Sequence, residues 1–503
     1  MELFLFYDNF MKLIFGDVNP KTLNTDNRTV TKSDTMKKNV FKWMGVAALV
    51  ALYACGGAGQ KEKKQESAFT GAAGEVKLLV LDPGHFHAGL VQKRMYKQIS
   101  PDVHVFAPEG SDVQAYLAQM EGYNSRPENP TTWNEIVYTG PDFLQKMLAE
   151  KPGNVVVLSG NNQAKTEYIS QSVSAGLNVL ADKPMVISPE KFPELESAFK
   201  KAEEKGVLLY DIMTERYEVT TRLQKELSRL PDIFGELQTG TPDEPAVVEE
   251  SVHHFYKTVS GKPVQRPAWF FDVEQQGEGL VDVGTHLVDL VQWTCFPNQA
   301  LQKADVQILK ASHWSTQVTT DEFEKVTGIA DFPSYLDKYI VENQLEVMAN
   351  GEMTYQLKGV NARVKVEWNY EAPEGGGDTH YSFMRGKLCD LVIRQGKEEN
   401  YLPTLYVEAH SEVDLGTFTG NLEKAVIQDM PITGLSLEKT GDRAWKVVIP
   451  EQYRVGHEAH FAQVTEKYLQ YLVKGKMPSW EVPNMITKYY TTTEGLRMAR
   501  RIE

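Results

Sequence analysis

The chain has 503 residues, 42% of them hydrophobic and 24% charged, which is enough for two or more packed domains. Its 68 acidic against 53 basic side chains give a net charge of −15. No basic cluster tracks a phosphate backbone, so nucleic acid is not an expected partner.

The first predicted element is a leader. Met36–Cys55 reads MKKNVFKWMGVAALVALYAC. Lys37, Lys38 and Lys42 precede an apolar run, 44–54, of signal-peptide length and too short to span a bilayer. Leu52-Tyr53-Ala54-Cys55 has the form of a lipobox, so Cys55 is the expected acylated residue and the membrane the expected partner through that lipid. A buried core helix is the plainer alternative, but the Gly-, Ala- and charge-rich stretch that follows would bury nothing. Residues 1–54 are therefore read as an upstream extension plus a signal peptide, and 55–74 as a flexible tether. The expected location is the cell envelope, facing the periplasm. Only Cys295 and Cys389 lie beyond the leader, too few for a disulfide framework.

From 75 to 212 apolar β-like runs alternate with helical patterns. The runs are 78–81, 103–107, 155–158, 179–181 and 207–210. Continuous apolar strands separated by helices predict a parallel sheet covered on both faces, a Rossmann-like α/β domain. The stretch 123–135, YNSRPENPTTWNE, reads as a long loop.

From 213 to 503 the pattern predicts an α+β domain with a mainly antiparallel sheet. Strands are expected at 235–239 and 250–256, and a helix at 279–295. An antiparallel meander should start at 341, with a hairpin turn at Asn350-Gly351 and a hairpin loop at Gly375–His380. Helices at 457–474 and 485–501 close the chain.

Three constellations carry chemistry. Lys183 ends a buried parallel strand, at the edge where ligands of open α/β sheets collect, and can exchange protons or polarise a hydroxyl. A solvated strand exit is the alternative. Asp282, His286, Asp289 and Trp293 fall at i, i+4, i+7 and i+11, one polar stripe on an apolar helix. A structural Asp–His pair would give the same pattern. The turn Asp82-Pro83-Gly84-His85-Phe86-His87 stands where a dinucleotide-binding unit has its glycines. It reads as an altered dinucleotide loop or a plain turn. His85 and His87, two apart, should diverge, and His457 and His460 lack the HExxH pattern, so no metal site is expected.

Three motifs together resemble the Gfo/Idh/MocA oxidoreductases, over roughly residues 76–297. They are NVLADKP (178–184), with Asp182 where the family has Glu, the strand–Asn161–helix run before it, and GLVDVGTHLVDL (279–290). The remaining C-terminal part is similar to the added module of lipoprotein members from Bacteroidota. The resemblance implies hydride transfer between a sugar or glycoside and NAD. His286 would accept the hydroxyl proton, Lys183 would assist, and Asp282 would orient. Gly84, His85, Phe86, His87, Glu109, Asn161, Asp182 and Lys183 would line the cofactor, with Glu109 on a ribose hydroxyl. His254, Lys257, Trp269 and Asp289 are candidates for the sugar site, Trp269 as a stacking face. A homo-oligomer is allowed but not required.

The compartment opposes a released cofactor, because the periplasm has no free nicotinamide pool. Lys37-Lys38 implies export of an unfolded chain, which carries no NAD with it. A tightly retained NAD would resolve the conflict. So would a glycan-binding lipoprotein that has lost the cofactor. A third reading makes oxidation one step of glycoside cleavage through a keto-sugar.

Overall fold

The computed structural model describes residues 69–259 and 262–501. The leader, Cys55 and the tether up to residue 68 lie outside the described residues. Residues 69–74, the end of that tether, are described, and Phe69 is buried in the first domain's core.

The first domain is a six-stranded parallel sheet in the order β3-β2-β1-β4-β5-β6. Its strands are β1 Leu78–Leu81, β2 Asp102–Ala107, β3 Asn134–Thr139, β4 Val155–Leu158, β5 Asn178–Asp182 and β6 Leu209–Ile212. All residues of β1, β4, β5 and β6 are buried, because helices cover both faces. β3 starts inside the stretch read as a long loop. It is an edge strand whose Ile136 and Val137 are exposed, so no apolar run marks it.

The second sheet runs β10-β12-β13-β7-β14-β15-β16-β18-β17, with β11 beside β12. Its strands are β7 Val247–Tyr256, β10 Val306–Val318, β11 Ile340–Val341, β12 Gln344–Leu357, β13 Val360–Glu371, β14 Thr379–Arg385, β15 Cys389–Arg394, β16 Thr404–Ala409, β17 Ser436–Gly441 and β18 Ala444–Val448. A two-stranded ribbon, β8 Thr258–Val259 and β9 Lys262–Pro263, stands apart. Within the large sheet β13 and β7 pair in parallel, and the remaining pairs are antiparallel.

Four local expectations are corrected. Residues 235–239 form no strand and contribute only a bridge from Leu237 to Gly386. Residues 279–283 are turns, and the regular helix is Gly284–Cys295. The Gly-rich connection after β13 is no hairpin, since β13 and β14 flank β7 on opposite sides. Asn350-Gly351 makes no turn and lies within β12, while the reversal falls at Lys358-Gly359, where φ is 51° and 83°. Tertiary contacts hold the pair extended. The Asn350 amide donates to Trp314 O at 3.0 Å and Thr316 Oγ1 at 2.8 Å, and its oxygen accepts from Trp368 N–H at 2.7 Å. A Cβ on Gly351 would lie 2.5 Å from Leu280 Cγ. Gly351→Ala should therefore cost about 1–3 kcal/mol by overpacking, read as a lower urea midpoint with an unchanged slope.

The closing helices, His457–Lys474 and Glu481–Ala499, extend the core of the first domain. Phe461, Val464, Tyr468, Leu469, Leu472, Met485 and Tyr489 bury themselves there, and Tyr468 stacks on Tyr210 of β6 at 6.0 Å. A buried charge network pins this return. Lys488 Nζ lies 2.7 Å from Asp211 and 2.8 Å from Asp289, and Arg216 binds both Asp289 (2.6 Å) and Glu481 (3.1 Å). Among the described residues no helix is long and apolar enough to cross a membrane.

Candidate active site

β5 ends at Asp182 and delivers Lys183 to the carboxyl edge of the parallel sheet. Its Nζ donates to Asp282 Oδ1 at 2.6 Å, and Gln276 Nε2 donates to Asp282 Oδ2 at 3.1 Å. Burial alone would raise the Asp282 carboxyl, but the Lys183 ammonium and the Gln276 amide hold it below the usual carboxylate range. One turn on, His286 is held neutral. Burial and the charge of Lys183 lower its imidazole to about 4, against the pull of Glu215. His286 Nδ1 is buried without a hydrogen-bond partner, an orphan that a ligand hydroxyl would satisfy.

Glu215 carries no sequence signal and is a functional candidate that sequence reading missed. It follows β6 in a single 3₁₀ turn. Burial would raise its carboxyl, yet His286, His457, His460 and His380 together hold it low. The two C-terminal histidines thus come within electrostatic reach of the same carboxyl as His286. Burial and the neighbouring His87 push His457 down to about 3, and burial lowers His460.

The turn after β1 departs from the expected divergence. His85 and His87 converge, with ring centroids 4.1 Å apart, and both Nδ1 atoms face Asp182 Oδ2, at 3.9 Å and 2.9 Å. The tight turn, with Asp82 at φ 48° and Pro83 after it, bends both rings to one side. Ser159 Oγ also donates to Asp182 Oδ2, at 3.0 Å, and Lys165 Nζ binds the Asp182 carbonyl at 3.1 Å.

The second domain supplies the facing wall. Asp378, from the Gly-rich connection, gathers His253 (3.0 Å), the His254 N–H (3.1 Å) and Lys257. Arg266 is buried over Phe270 and Trp368, and donates to the carbonyls of His254 and Phe255. Two sugar-site expectations are corrected. Trp269 is buried, packs near Gly84 and donates to Asp112 Oδ2 at 2.8 Å, so it offers no open stacking face. Asp289 is consumed by Arg216 and Lys488 on the buried side of its helix. The proposed polar stripe thus divides, because residues 279–283 are not helical and Asp289 turns inward. Glu109 lies exposed just beyond β2, and Asn161 donates to Gln275 at 2.7 Å.

A family model described as "Putative oxidoreductase C terminal domain" matches residues 223–500, more than half of the chain. The chain belongs to this oxidoreductase family. A crystal structure described as a putative oxidoreductase from Parabacteroides merdae is 55% identical, with a TM-score of 0.84, over 86% of this chain and all of that one. A 3-ketoreductase from Actinomadura kijaniata, solved with NADP and TDP-benzene, shares the fold at 14% identity and a TM-score of 0.52, over 84% of this chain and 97% of its own. So does a levoglucosan dehydrogenase solved with NADH and levoglucosan, at 12% identity and 0.55, over 85% and 98%. No curated protein matches the sequence. The likeness to the ketoreductase and the levoglucosan dehydrogenase shows a shared fold, a parallel-sheet domain followed by a mainly antiparallel sheet domain.

The oxidoreductase's residues can be tested against a nicotinamide dinucleotide. Its strand order places the crevice between β1 and β4, where ligands of doubly wound sheets sit. The turn closes tightly over β4, since a Cβ on Gly160 would meet Asp82 O at 2.1 Å. The ring end fits in its chemistry: Lys183 is close enough to His286 to lower its imidazole, and the His286 Nδ1 is an orphaned acceptor or donor. The diphosphate end differs from a glycine-rich loop. The N–H groups of Gly84 and His85 are spent on Ser159 O, at 3.2 Å and 3.3 Å, and the helix that follows, His87–Leu90, is a single turn. Side chains, chiefly His85 and Phe86, would contact the diphosphate there in place of the backbone amides of a glycine-rich loop.

Proposed function

We propose that this oxidoreductase oxidises a secondary alcohol of a sugar or glycoside, with a nicotinamide dinucleotide as the hydride acceptor. The observation that carries the reading is the buried Lys183–Asp282 ion pair beside the partnerless His286 Nδ1. Solved sugar dehydrogenases and ketoreductases of the same fold, crystallised with NADH or NADP, support the cofactor and substrate class. When bound, the cofactor accepts hydride from the alcohol carbon. The chain's own residues manage the proton. Lys183 donates a hydrogen bond to the alcohol oxygen and favours its ionised form. His286, neutral at physiological pH, takes the proton at Nδ1, and the nearby Glu215 carboxylate stabilises the imidazolium. Asp282 holds the ammonium in place, while Asp378 and its partners form the polar wall facing the sugar.

The same proposal places the enzyme in the cell envelope, anchored through Cys55. The leader pattern supports this, and intact mass of envelope-purified protein should show a diacylated chain beginning at Cys55. A chain beginning earlier would remove the anchor. The decisive assay is single-turnover reduction of added NAD by a glycoside. Glycan binding without any reduction would replace this reading with the binding lipoprotein. Release of an aglycone coupled to transient reduction would favour cleavage through a keto-sugar.

The pH dependence follows from His286. Its unfolded value is near 6.5 and its folded value about 4, so between them the unfolded chain binds more protons. Stability should therefore rise with pH across that window, and His286→Gln should flatten the rise. The acid limb of kcat/KM should fall near pH 4 rather than 6.5. A limb at 6.5 would mean that His286 is not buried beside Lys183 in the working enzyme.

A further inference from the structure

The arrangement of His85, His87 and Asp182 is not needed by the proton chemistry above. Each offers one ligand atom, and these atoms all lie within 4.8 Å of one another. The two rings stand nearly perpendicular, at 79°, and turn the same nitrogen, Nδ1, toward the same carboxylate oxygen. A hydrogen bond from His87 alone would satisfy Asp182, which already accepts from Ser159. It gives no reason for the second imidazole to turn inward. His85 Nδ1, 3.9 Å from the carboxylate, is beyond hydrogen-bond reach of it and has only a long contact, 3.3 Å, from the His87 N–H. A metal ion with bonds of about 2.0–2.2 Å needs donors roughly 3–3.5 Å apart, so the three would close around one with a small shift.

We propose that His85, His87 and Asp182 bind one divalent transition-metal ion. Two imidazoles and one carboxylate suit zinc, manganese or iron(II) rather than calcium or magnesium, which prefer all-oxygen sites. Each ligand atom is within 4.8 Å of the others, and binding would replace the proton that His87 shares with Asp182 by the ion. Ser159 orients the carboxylate, the role that outer-shell partners play at metal sites. The ring of His457, 5.2 Å from that of His87, is the nearest candidate for a fourth donor. Three cations bear on the site: Lys183 is paired with Asp282 at 2.6 Å, Lys165 contacts the Asp182 carbonyl rather than its carboxylate, and Arg266 donates to the carbonyls of His254 and Phe255. An ion here would supply positive charge beside a turn whose own amides are spent on Ser159, leaving open positions for water or for hydroxyl and phosphate oxygens.

The test uses metal-free protein, prepared with a chelator and titrated with Co²⁺ and then Zn²⁺. We expect visible d–d bands with Co²⁺, their loss on adding Zn²⁺, and one zinc per chain by elemental analysis. His85→Ala and Asp182→Asn should abolish the bands, and His410→Ala, far from the turn, should leave them unchanged. Ser159→Ala should weaken binding by about 10–100-fold, the usual effect of losing an outer-shell partner. The wild-type titration needs no variant to fold. Featureless Co²⁺ spectra, substoichiometric zinc, or bands that survive in folded His85→Ala would each overturn the site. None of these readouts depends on NAD or on turnover, so the metal site and the proposed oxidation stand or fall separately.

Discussion

Replacing His286 with alanine should lower glycoside oxidation by about 10²–10⁴-fold, the usual contribution of a general acid–base group, while the protein keeps its fold. The two halves of that expectation have separate causes. His286 Nδ1 has no partner, so removing the ring strands no other buried group. Leu280, Val283, Leu287 and Leu290, which pack this segment, remain in place. The folded chain also bears the cost of an imidazole nitrogen buried without a hydrogen-bond partner, and its removal offsets part of the cavity the ring leaves, so the loss of stability should be small. Lys183→Ala should slow turnover comparably but also leave Asp282 as a buried carboxylate without its cation, so it should destabilise as well. The double variant should lose less than the product of the two effects if both groups serve one proton. A melted His286→Ala protein with normal turnover per folded molecule would make the residue structural.

Asp289→Ala should do the opposite and unfold the protein without touching the chemistry directly. Asp289 neutralises Arg216 and Lys488 at once, and Lys488 has no exposed surface. Removing one member of a buried ion network typically costs about 3–5 kcal/mol, because the partner charges stay in a medium that solvates them poorly. Asp211 and Glu481 recover part of this, since they already contact Lys488 and Arg216. The denaturant midpoint of Asp289→Ala should fall well below that of wild type. Any loss of turnover should track the unfolded fraction. A drop of less than about 1 kcal/mol would show the network to be replaceable.

The elements that sequence reading located share one property: their signal is local. β1 and β4 are unbroken apolar runs, and their bounds match the structure. Lys183 and His286 stand at a strand end and on a helix face, both marked by spacing. What was not legible depends on contacts across the chain. β3 is an exposed edge with no apolar pattern. Asn350-Gly351 has the composition of a turn, but Trp314, Thr316 and Leu280 hold it straight. Glu215 is one acid among many until four histidines from distant segments surround it. His457 and His460 lacked a metal-binding motif and came within electrostatic reach of Glu215 only because the last helices fold back on the first sheet. His85 and His87 were expected to diverge on the spacing of a regular backbone, which the turn beginning at Asp82 does not have.

That fold-back sets the order in which the molecule can be completed. Tyr210 is made before the midpoint of the chain, yet Tyr468 and Tyr471, which cover it, come from the last tenth. Lys488, which stands between Asp211 and Asp289, emerges later still. A chain growing from its amino end must carry an apolar sheet face and Asp211 without its lysine until synthesis is nearly finished. Its first-made half cannot reach its final state early, so completion of the parallel-sheet domain should wait for the last helices. Chains stalled before residue 481 should remain open to proteolysis across the parallel sheet, and a holding chaperone would have the most to bind in that interval. Under the export proposed from the leader, such lateness would keep the chain open for passage through a narrow pore.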